Sequence, residues 1–67
     1  MADGIIVYYV YLPGEGYFNR FRLKQGYERP IFVSSTMLAY PYKTISAAKR
    51  MAKRVSPRAV VEEYEWR

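Results

Sequence analysis

The feature that most constrains the fold is an unbroken run of strand-forming residues near the start of the chain, from Gly4 to Leu12. Every side chain between Ile5 and Tyr11 is β-branched or aromatic, and these are the types enriched in β-strands. The run is apolar at odd and even positions alike, so both faces of the strand are expected to be covered. The sequence therefore predicts a central strand of a sheet.

The next residues predict that this strand turns back on itself. Pro13-Gly14-Glu15-Gly16 combines a proline that presets φ with two glycines that tolerate positive φ, as tight turns require. Residues 17–24 alternate well enough to form the returning strand, and Gln25-Gly26 ends it. If the four turn residues form the whole loop, Leu12 lies opposite Tyr17.

That register divides the hairpin into two faces. A predicted core face contains Ile6, Tyr8, Val10 and Leu12 opposite Leu23, Phe21, Asn19 and Tyr17. A predicted aromatic-basic face contains Ile5, Val7, Tyr9 and Tyr11 opposite Lys24, Arg22, Arg20 and Phe18. A slip of one residue would move every side chain of one strand to the other face, and the clustering of apolar residues favours this register.

The segment after the hairpin is less regular. Residues 31–34 predict a short third strand, and Pro30 limits it to an edge or to a strand start. Residues 35–42 fit either a strand or one helical turn capped by Ser35. The bond between Tyr40 and Pro41 can adopt either isomer.

The last third of the chain predicts a helix and a strand. Residues 44–55 have apolar side chains at helical spacing, with Thr44 as the N-cap and Ser56-Pro57 as the stop. Residues 59–66 predict the final strand. The expected fold is one α+β domain, 1–67, with a small antiparallel sheet of three to four strands and one packed amphipathic helix, in the order β-β-β-α-β.

The 67-residue chain contains neither cysteine nor histidine. Disulfides and thiolate zinc sites are therefore impossible, and the usual general base is missing. The only clustered carboxylates are Glu62, Glu63 and Glu65, which could hold magnesium but fit a solvated strand end better. Gly14-Glu15-Gly16 lacks the helix and the Lys-Ser/Thr pair of a phosphate-binding loop. We expect no catalytic residue, no metal and no cofactor, hence not an enzyme, and a possible homodimer that reinforces so small a core.

Basic residues are concentrated in the middle of the chain. Residues 17–58 contain ten basic side chains against a single acid, Glu28, hence a formal charge of +9 within a total of +5. Both ends of the chain are acidic. This distribution predicts that the partner is nucleic acid or an acidic protein.

Two surfaces are candidates for that partner. The first is a basic helix ridge made of Lys49, Arg50, Lys53 and Arg54. It could neutralise phosphates, or it could be a solvated face whose charges complement the helix dipole.

The second candidate is the aromatic-basic face, where stacking on bases and contacts with the backbone would combine. Its proposed contact residues are Tyr9, Tyr11, Phe18, Arg20 and Arg22. The same face could instead bind a protein or a second copy of the chain. Two structural alternatives are a second small core, covered by Met37, Leu38 and Tyr40, and cross-strand pairing of Glu62 with an arginine.

These residues also have a family resemblance. The patterns Gly16-Tyr17-Phe18-x-Arg20-x-Arg22 and Tyr42-Lys43-Thr44-x-x-Ala47-Ala48 resemble the sheet-then-helix layout of the arm-type DNA-binding domains of phage and transposon integrases. In that family a three-stranded sheet enters the major groove and one helix backs it. The resemblance implies that Arg20, Arg22 and Tyr9 contact DNA. The long segment 25–42 and the strand after the helix differ from that layout.

The whole chain is also similar in type to small orphan proteins encoded by phages and prophages. It is short, lacks cysteine, is rich in tyrosine and has an acidic last strand. This resemblance implies a protein that binds a host protein or nucleic acid in the host cell cytoplasm. No apolar run approaches the roughly 20 residues that span a bilayer, and the chain start lacks the basic residues of a secretory signal, so we expect no membrane partner and a cytoplasmic location.

Overall fold

The computed structural model describes residues 4–66 and contains a four-stranded antiparallel sheet with one helix. The elements are β1 (Ile5–Leu12), β2 (Gly16–Lys24), β3 (Tyr27–Val33), α1 (Ile45–Val55) and β4 (Val60–Trp66). Their order across the sheet is β3-β2-β1-β4. The predicted α+β class and the order β-β-β-α-β are confirmed, and β1 is an interior strand, as its apolar run predicted.

The turn between β1 and β2 is one residue shorter than predicted. The Leu12 carbonyl accepts a hydrogen bond from the Glu15 amide (2.9 Å), and Gly14 between them has a φ of 89°, the value that the third residue of a type II turn requires. Gly16, with a φ of 121°, is already the first residue of β2. The loop therefore consists of three residues rather than four.

The shorter loop changes the register of the hairpin. Tyr11 lies opposite Tyr17, so the predicted pairing of Leu12 with Tyr17 is wrong by one residue. Because side chains alternate along a strand, this single step moves β2 side chains to the other face. Phe18 consequently shares a face with Val10, and both are buried in one cluster.

The core has two parts, one on each face of the sheet. The cluster under α1 contains the buried residues Val10, Phe18, Ala48 and Ala52. The cluster on the opposite face contains the buried residues Val7, Tyr9 and Ala39. Since β1 contributes to both clusters, both of its faces are covered, which explains why its sequence is apolar at consecutive positions.

β3 is longer than predicted, because it begins at Tyr27 instead of residue 31. Gln25 (φ 54°) and Gly26 (φ 81°) form a two-residue turn between β2 and β3, with the two positive φ values of a type I′ hairpin. Pro30 lies inside β3. It is tolerated there because β3 is an edge strand, where an amide hydrogen can be missing without breaking an interior ladder.

In the segment between β3 and α1, for which the sequence allowed a strand or one helical turn capped by Ser35, residues 36–38 form a single turn and no strand. The Ser35 carbonyl accepts from the Leu38 amide and the Ser35 hydroxyl from the Met37 amide (both 3.1 Å). Residues 39–42, which we call the inserted segment, pass between β1 and β2. The Tyr40 amide donates to the Phe18 carbonyl (3.3 Å), and Tyr42 exchanges two backbone hydrogen bonds with Tyr8 (2.7 and 2.8 Å). The peptide bond before Pro41 is trans. The inserted segment separates β2 from β1 beyond the two residue pairs next to the turn, and β2 continues paired with β3 alone.

α1 forms where the sequence predicts it. The Thr44 hydroxyl accepts a hydrogen bond from the Ala47 amide (3.2 Å), which satisfies one of the unpaired amides at the helix start. Ala48 and Ala52 are buried, and the helix lies over β1 and β4. Ile45 is one of the apolar residues at helical spacing, which predicts a buried position, but it is exposed at the first position of the helix.

The outer part of the β2–β3 hairpin, residues 20–31, extends away from the helix-covered strands, and we call it the hairpin arm. The molecule is elongated, with extents of 49 × 21 × 20 Å. Near the end of the arm, Leu23 and Tyr27 are 71% and 69% exposed. An ion pair between Arg54 of α1 and Glu28 of the arm (3.2 Å) links the arm to the helix.

Candidate nucleic-acid interface

Basic side chains line one face of the hairpin arm. Directly opposed residues of an antiparallel pair present their side chains on the same face, and successive pairs on one face are about 7 Å apart along the strands. We call this surface the basic arm face, and it consists of three cross-strand pairs: Arg20–Ile31, Arg22–Arg29 and Lys24–Tyr27. All four of its cations are exposed.

A β-bulge decides which face of the arm is basic. The register of β2 against β3 shifts between Phe18 and Arg20, which adds one residue to β2 and reverses the alternation beyond it. Phe21 therefore packs on the same side as Phe18, with ring centroids 4.9 Å apart, although the two are an odd number of positions apart. Arg20 and Arg22 point to the other side.

The basic arm face is electrostatically unfavourable in the free protein. Arg22 lies directly opposite Arg29, and like charges at directly opposed positions destabilise a sheet. Within residues 4–66, the only ion pair is that between Arg54 and Glu28, and Glu28 lies on the other side of the arm, opposite Leu23. Among the described residues, no ion pair therefore neutralises any of the four cations of this face.

The other side of the arm faces α1. The Arg54 guanidinium lies over the Phe21 ring, 4.8 Å from its centroid, and also pairs with Glu28. Exposed cation–π contacts contribute about 0.5–1 kcal/mol, and exposed ion pairs about 0.2–1 kcal/mol. Both contacts are weak, and both lie on the side of the arm that turns toward the helix.

The predicted helix ridge is exposed on α1: Lys49, Arg50, Lys53 and Arg54. It lies on the helix side of the arm, because Arg54 touches Phe21 and Glu28. The basic arm face points away from that side. The structure therefore does not join the ridge with Arg20 and Arg22 into one surface.

The predicted aromatic-basic face does not exist in the form the sequence suggested. Tyr9 and Phe18 are each 2% exposed, and they lie in different core clusters on opposite faces of the sheet. Tyr11 is half-buried against Tyr17, with ring centroids 4.9 Å apart. Phe18 lies on the face opposite that of Tyr9 because the observed register differs by one residue from the predicted register. Tyr9 and Phe18 are buried and cannot stack on bases, whereas the two arginines of this prediction are exposed.

The alternative that this face contains a second small core describes the structure better. Ala39 of the inserted segment is buried against Val7 and Tyr9. The residues predicted to form the cover are exposed instead: Met37, Leu38 and Tyr40. Glu62 does not pair with an arginine, since it accepts a hydrogen bond from the Tyr17 hydroxyl (2.9 Å).

Five aromatic rings form a continuous chain of contacts across this face. The centroid distances are 6.1 Å for Trp66–Tyr64, 5.6 Å for Tyr64–Tyr9, 6.1 Å for Tyr9–Tyr17 and 4.9 Å for Tyr17–Tyr11. The Trp66 indole donates a hydrogen bond to the Tyr9 hydroxyl (3.1 Å). Such ring pairs contribute about 0.5–1.5 kcal/mol each beyond the area they bury, so much of the tyrosine content is structural.

The Tyr17 hydroxyl makes stability depend on pH at the alkaline end. Its hydrogen bond to Glu62 raises the pKa of Tyr17, and burial and the Glu62 charge raise this pKa further. Burial also raises the pKa of Tyr42. Because the folded state holds these protons more tightly than the unfolded state, the contribution is complete below the ordinary tyrosine pKa of about 10 and is lost as the pH rises through the folded-state pKa.

We therefore expect the free energy of unfolding to fall above about pH 10, and to fall less steeply in Tyr17→Phe. Urea denaturation followed by circular dichroism at a series of alkaline pH values measures both curves. Tyr27→Phe, which removes a hydroxyl from an exposed ring, is the matched control. A Tyr17→Phe curve that parallels the native one would contradict the role assigned to the Tyr17–Glu62 hydrogen bond.

In the described part of the chain, no group of three or more acidic, histidine or cysteine side chains is placed to hold a metal ion, and no helix there is long and apolar enough to cross a membrane. The chain matches no protein-family model, and no curated protein or solved structure is significantly similar to it. The resemblances to integrase arm-type domains and to small phage proteins therefore remain predictions.

The β3 members of the basic arm face, Tyr27, Arg29 and Ile31, were not predicted from the sequence to be part of a binding surface. Lys24 was placed on the predicted aromatic-basic face but was not named as a contact residue. The sequence did contain a pattern from which this face could have been predicted. Gln25-Gly26 separates two strand-like segments by two residues, the spacing of a tight hairpin. Pairing the strands across that turn places Arg22 opposite Arg29.

Proposed function

We propose that this domain is a non-enzymatic binding module that contacts the phosphate backbone of nucleic acid through the basic arm face. The observation that supports the proposal most is the direct opposition of Arg22 and Arg29 on an exposed ribbon. Within residues 20–31 the only carboxylate, Glu28, is on the other side. An arrangement that costs stability in the free protein becomes favourable once a polyanion covers it.

The chemistry of the face suits a phosphate backbone. Arginine presents a planar fork that can bind two phosphate oxygens at once, and Arg20, Arg22 and Arg29 are of this type. Cations repeated about every 7 Å along the arm match a chain of charges better than a single small anion. Tyr27 is exposed beside Lys24 and can stack on an unpaired base, a contact worth about 1–3 kcal/mol.

We expect the double variant Arg22→Ala, Arg29→Ala to bind labelled DNA and RNA oligonucleotides at least roughly tenfold more weakly at low salt, because a hydrogen bond to a charged group is worth about 1.5–3 kcal/mol. The slope of log affinity against log salt should become shallower by about 1.4–1.8, since each lost phosphate contact contributes about 0.7–0.9. Fluorescence anisotropy over a salt series measures both quantities.

The matched control is Lys43→Ala, Arg58→Ala, which removes the same charge from exposed positions outside the arm and α1. It should change affinity and slope much less. Equal losses in the two variants would mean that only net charge matters and would overturn the basic arm face as the site. The absence of binding to any oligonucleotide at low salt would overturn the proposed function itself.

A partner protein is the second candidate, and one observation favours it. Ile5, Tyr64 and Trp66 are exposed where β1 pairs with β4, and β4 is an edge strand. Exposed apolar patches of this kind are typical of protein contacts, including contacts in a homodimer. This candidate becomes the leading one if no oligonucleotide binds at low salt.

A further inference from the structure

We infer that the domain bridges two segments of nucleic acid, with one on the basic arm face and the other on the helix ridge. The inference rests on the proposed function and adds a second, separate binding surface to it. A module with two such surfaces would hold strands together, or compact one strand by binding two distant parts of it.

The two cationic surfaces lie on opposite sides of the arm. Arg54 meets Phe21 and Glu28 on the helix side. Arg22 and Arg29 alternate with those residues along the same strands and point away from α1. The two-stranded ribbon of the arm therefore lies between the basic arm face and the helix, and a segment that covers one surface is shielded from the other.

The helix ridge has a positive charge that no residue of α1 compensates. α1 contains no acidic residue at all, so Lys49 and Lys53 repel each other at i,i+4 spacing by about 0.2–0.5 kcal/mol without compensation along the helix. Arg54 is already occupied by Glu28 and Phe21. Lys49, Arg50 and Lys53 form no ion pair within the described residues and remain available on the outer surface.

Nucleic acid is the partner whose charge suits both surfaces. Both surfaces are exposed and cationic, and the one ion pair within the described residues, Arg54–Glu28, leaves Lys49, Arg50 and Lys53 of the ridge unpaired. Both surfaces therefore complement a phosphate backbone. Most of the exposed large apolar residues lie elsewhere, on the segment before α1 and at the edge formed by β4. Of the two on the arm, Tyr27 belongs to the basic arm face and Leu23 lies on the other side. Charge complementarity thus assigns the same class of partner to both surfaces, and their opposite orientation assigns them to two segments.

A co-capture experiment tests the inference. One copy of a short DNA duplex is biotinylated and immobilised, a second copy is fluorescently labelled, and the label retained on the beads is measured with and without protein; the same pair is tested as single strands. We expect the native protein to retain the label. The variant Lys49→Ala, Lys53→Ala should still bind one oligonucleotide, as measured by fluorescence anisotropy. It should retain roughly tenfold less label on the beads, because bridging requires both surfaces at once.

Three comparisons make the result decisive. Both lysines are exposed and alanine favours helix, so the variant should fold, as circular dichroism can verify. Lys43→Ala, Arg58→Ala, with the same loss of charge, should retain the label. Sedimentation analysis at the concentration of the assay should show a monomer for native protein.

Some outcomes would overturn the inference. Native protein that binds one oligonucleotide but retains no label would refute bridging and leave the proposed function intact. Undiminished retention by Lys49→Ala, Lys53→Ala would refute the ridge as the second surface, and a dimer in sedimentation would then explain the bridging by two arms. Native protein that binds no oligonucleotide would refute the proposed function and the inference together.

Discussion

Replacing Phe18 with alanine is expected to lower the free energy of unfolding by about 3–5 kcal/mol. Phe18 is 2% exposed, lies in the cluster under α1 and contacts the rings of Phe21 and Phe32. Truncation would remove these contacts and leave a cavity at the point where the arm joins the body. A core of this size rarely supplies more than about 3–5 kcal/mol in total, so the variant should be largely unfolded at room temperature.

Urea and thermal denaturation followed by circular dichroism measure this effect. The matched control is Leu23→Ala, on the same strand but 71% exposed, which should stay within about 0.5 kcal/mol of the native protein. If Phe18→Ala proved as stable as Leu23→Ala, Phe18 would not be a core residue. The face assignment that follows from the three-residue turn would then be wrong.

The second large effect is expected from Gly16→Ala, which should lower the free energy of unfolding by about 2–4 kcal/mol. Gly16 has a φ of 121°, which side-chain-bearing residues rarely adopt. A β-carbon there would lie 2.6 Å from the backbone oxygen of Val33. That oxygen belongs to β3 and cannot swing aside like the end of a flexible side chain, so the strands themselves would have to move.

Gly14→Ala separates the two causes. Gly14 also has a positive φ, 89°, but a β-carbon there would have no heavy atom within 4 Å. This variant should therefore show only the conformational cost, about 1 kcal/mol. Urea denaturation with linear extrapolation gives both values. Equal costs for the two variants would show that the close approach of Gly16 to Val33 does not constrain the hairpin.

The hairpin arm combines poor local energetics with exposure. A directly opposed arginine pair, a positive φ at Gln25 and an exposed Leu23 all cost stability or solubility in the free protein. Proteins tend to break such local rules at functional sites and to compensate for them elsewhere. Here the compensation comes from the two core clusters and the aromatic chain, which lie outside the arm.

Much of the fold follows from local sequence patterns. The apolar run of β1, the Thr44 cap with its helical spacing and the final strand were all predicted with bounds within a residue or so. Their signals are strong because each depends on neighbouring residues only. The length of β3 was underestimated, because a proline inside a strand is acceptable only at an edge, and edge position is a property of the whole sheet.

The candidate site was harder to predict, for a physical reason. Side chains alternate along a strand, so one residue in a turn, or one in a bulge, exchanges the exposed and buried sets. Both events occur in β2: the turn is shorter by one residue, and the register shifts before Arg20. The shorter turn moves Phe18 to the face opposite the predicted one. The bulge then returns Arg20 and Arg22 to the face that the sequence predicted for them, where both are exposed.

Sequence alone therefore determined the unbroken apolar run of β1, the number and order of the elements, the concentration of positive charge in the middle of the chain and the lack of cysteine and histidine chemistry. These properties are local or compositional and need no knowledge of distant contacts. The tertiary structure decided which face each side chain occupies and that four of the tyrosines form a chain of ring contacts with Trp66. It also decided that Arg20, Arg22 and Arg29 lie together on the face of the arm that points away from the helix. Those outcomes depend on register, a bulge and an inserted segment, and each of these is set by packing between residues that are far apart in the chain.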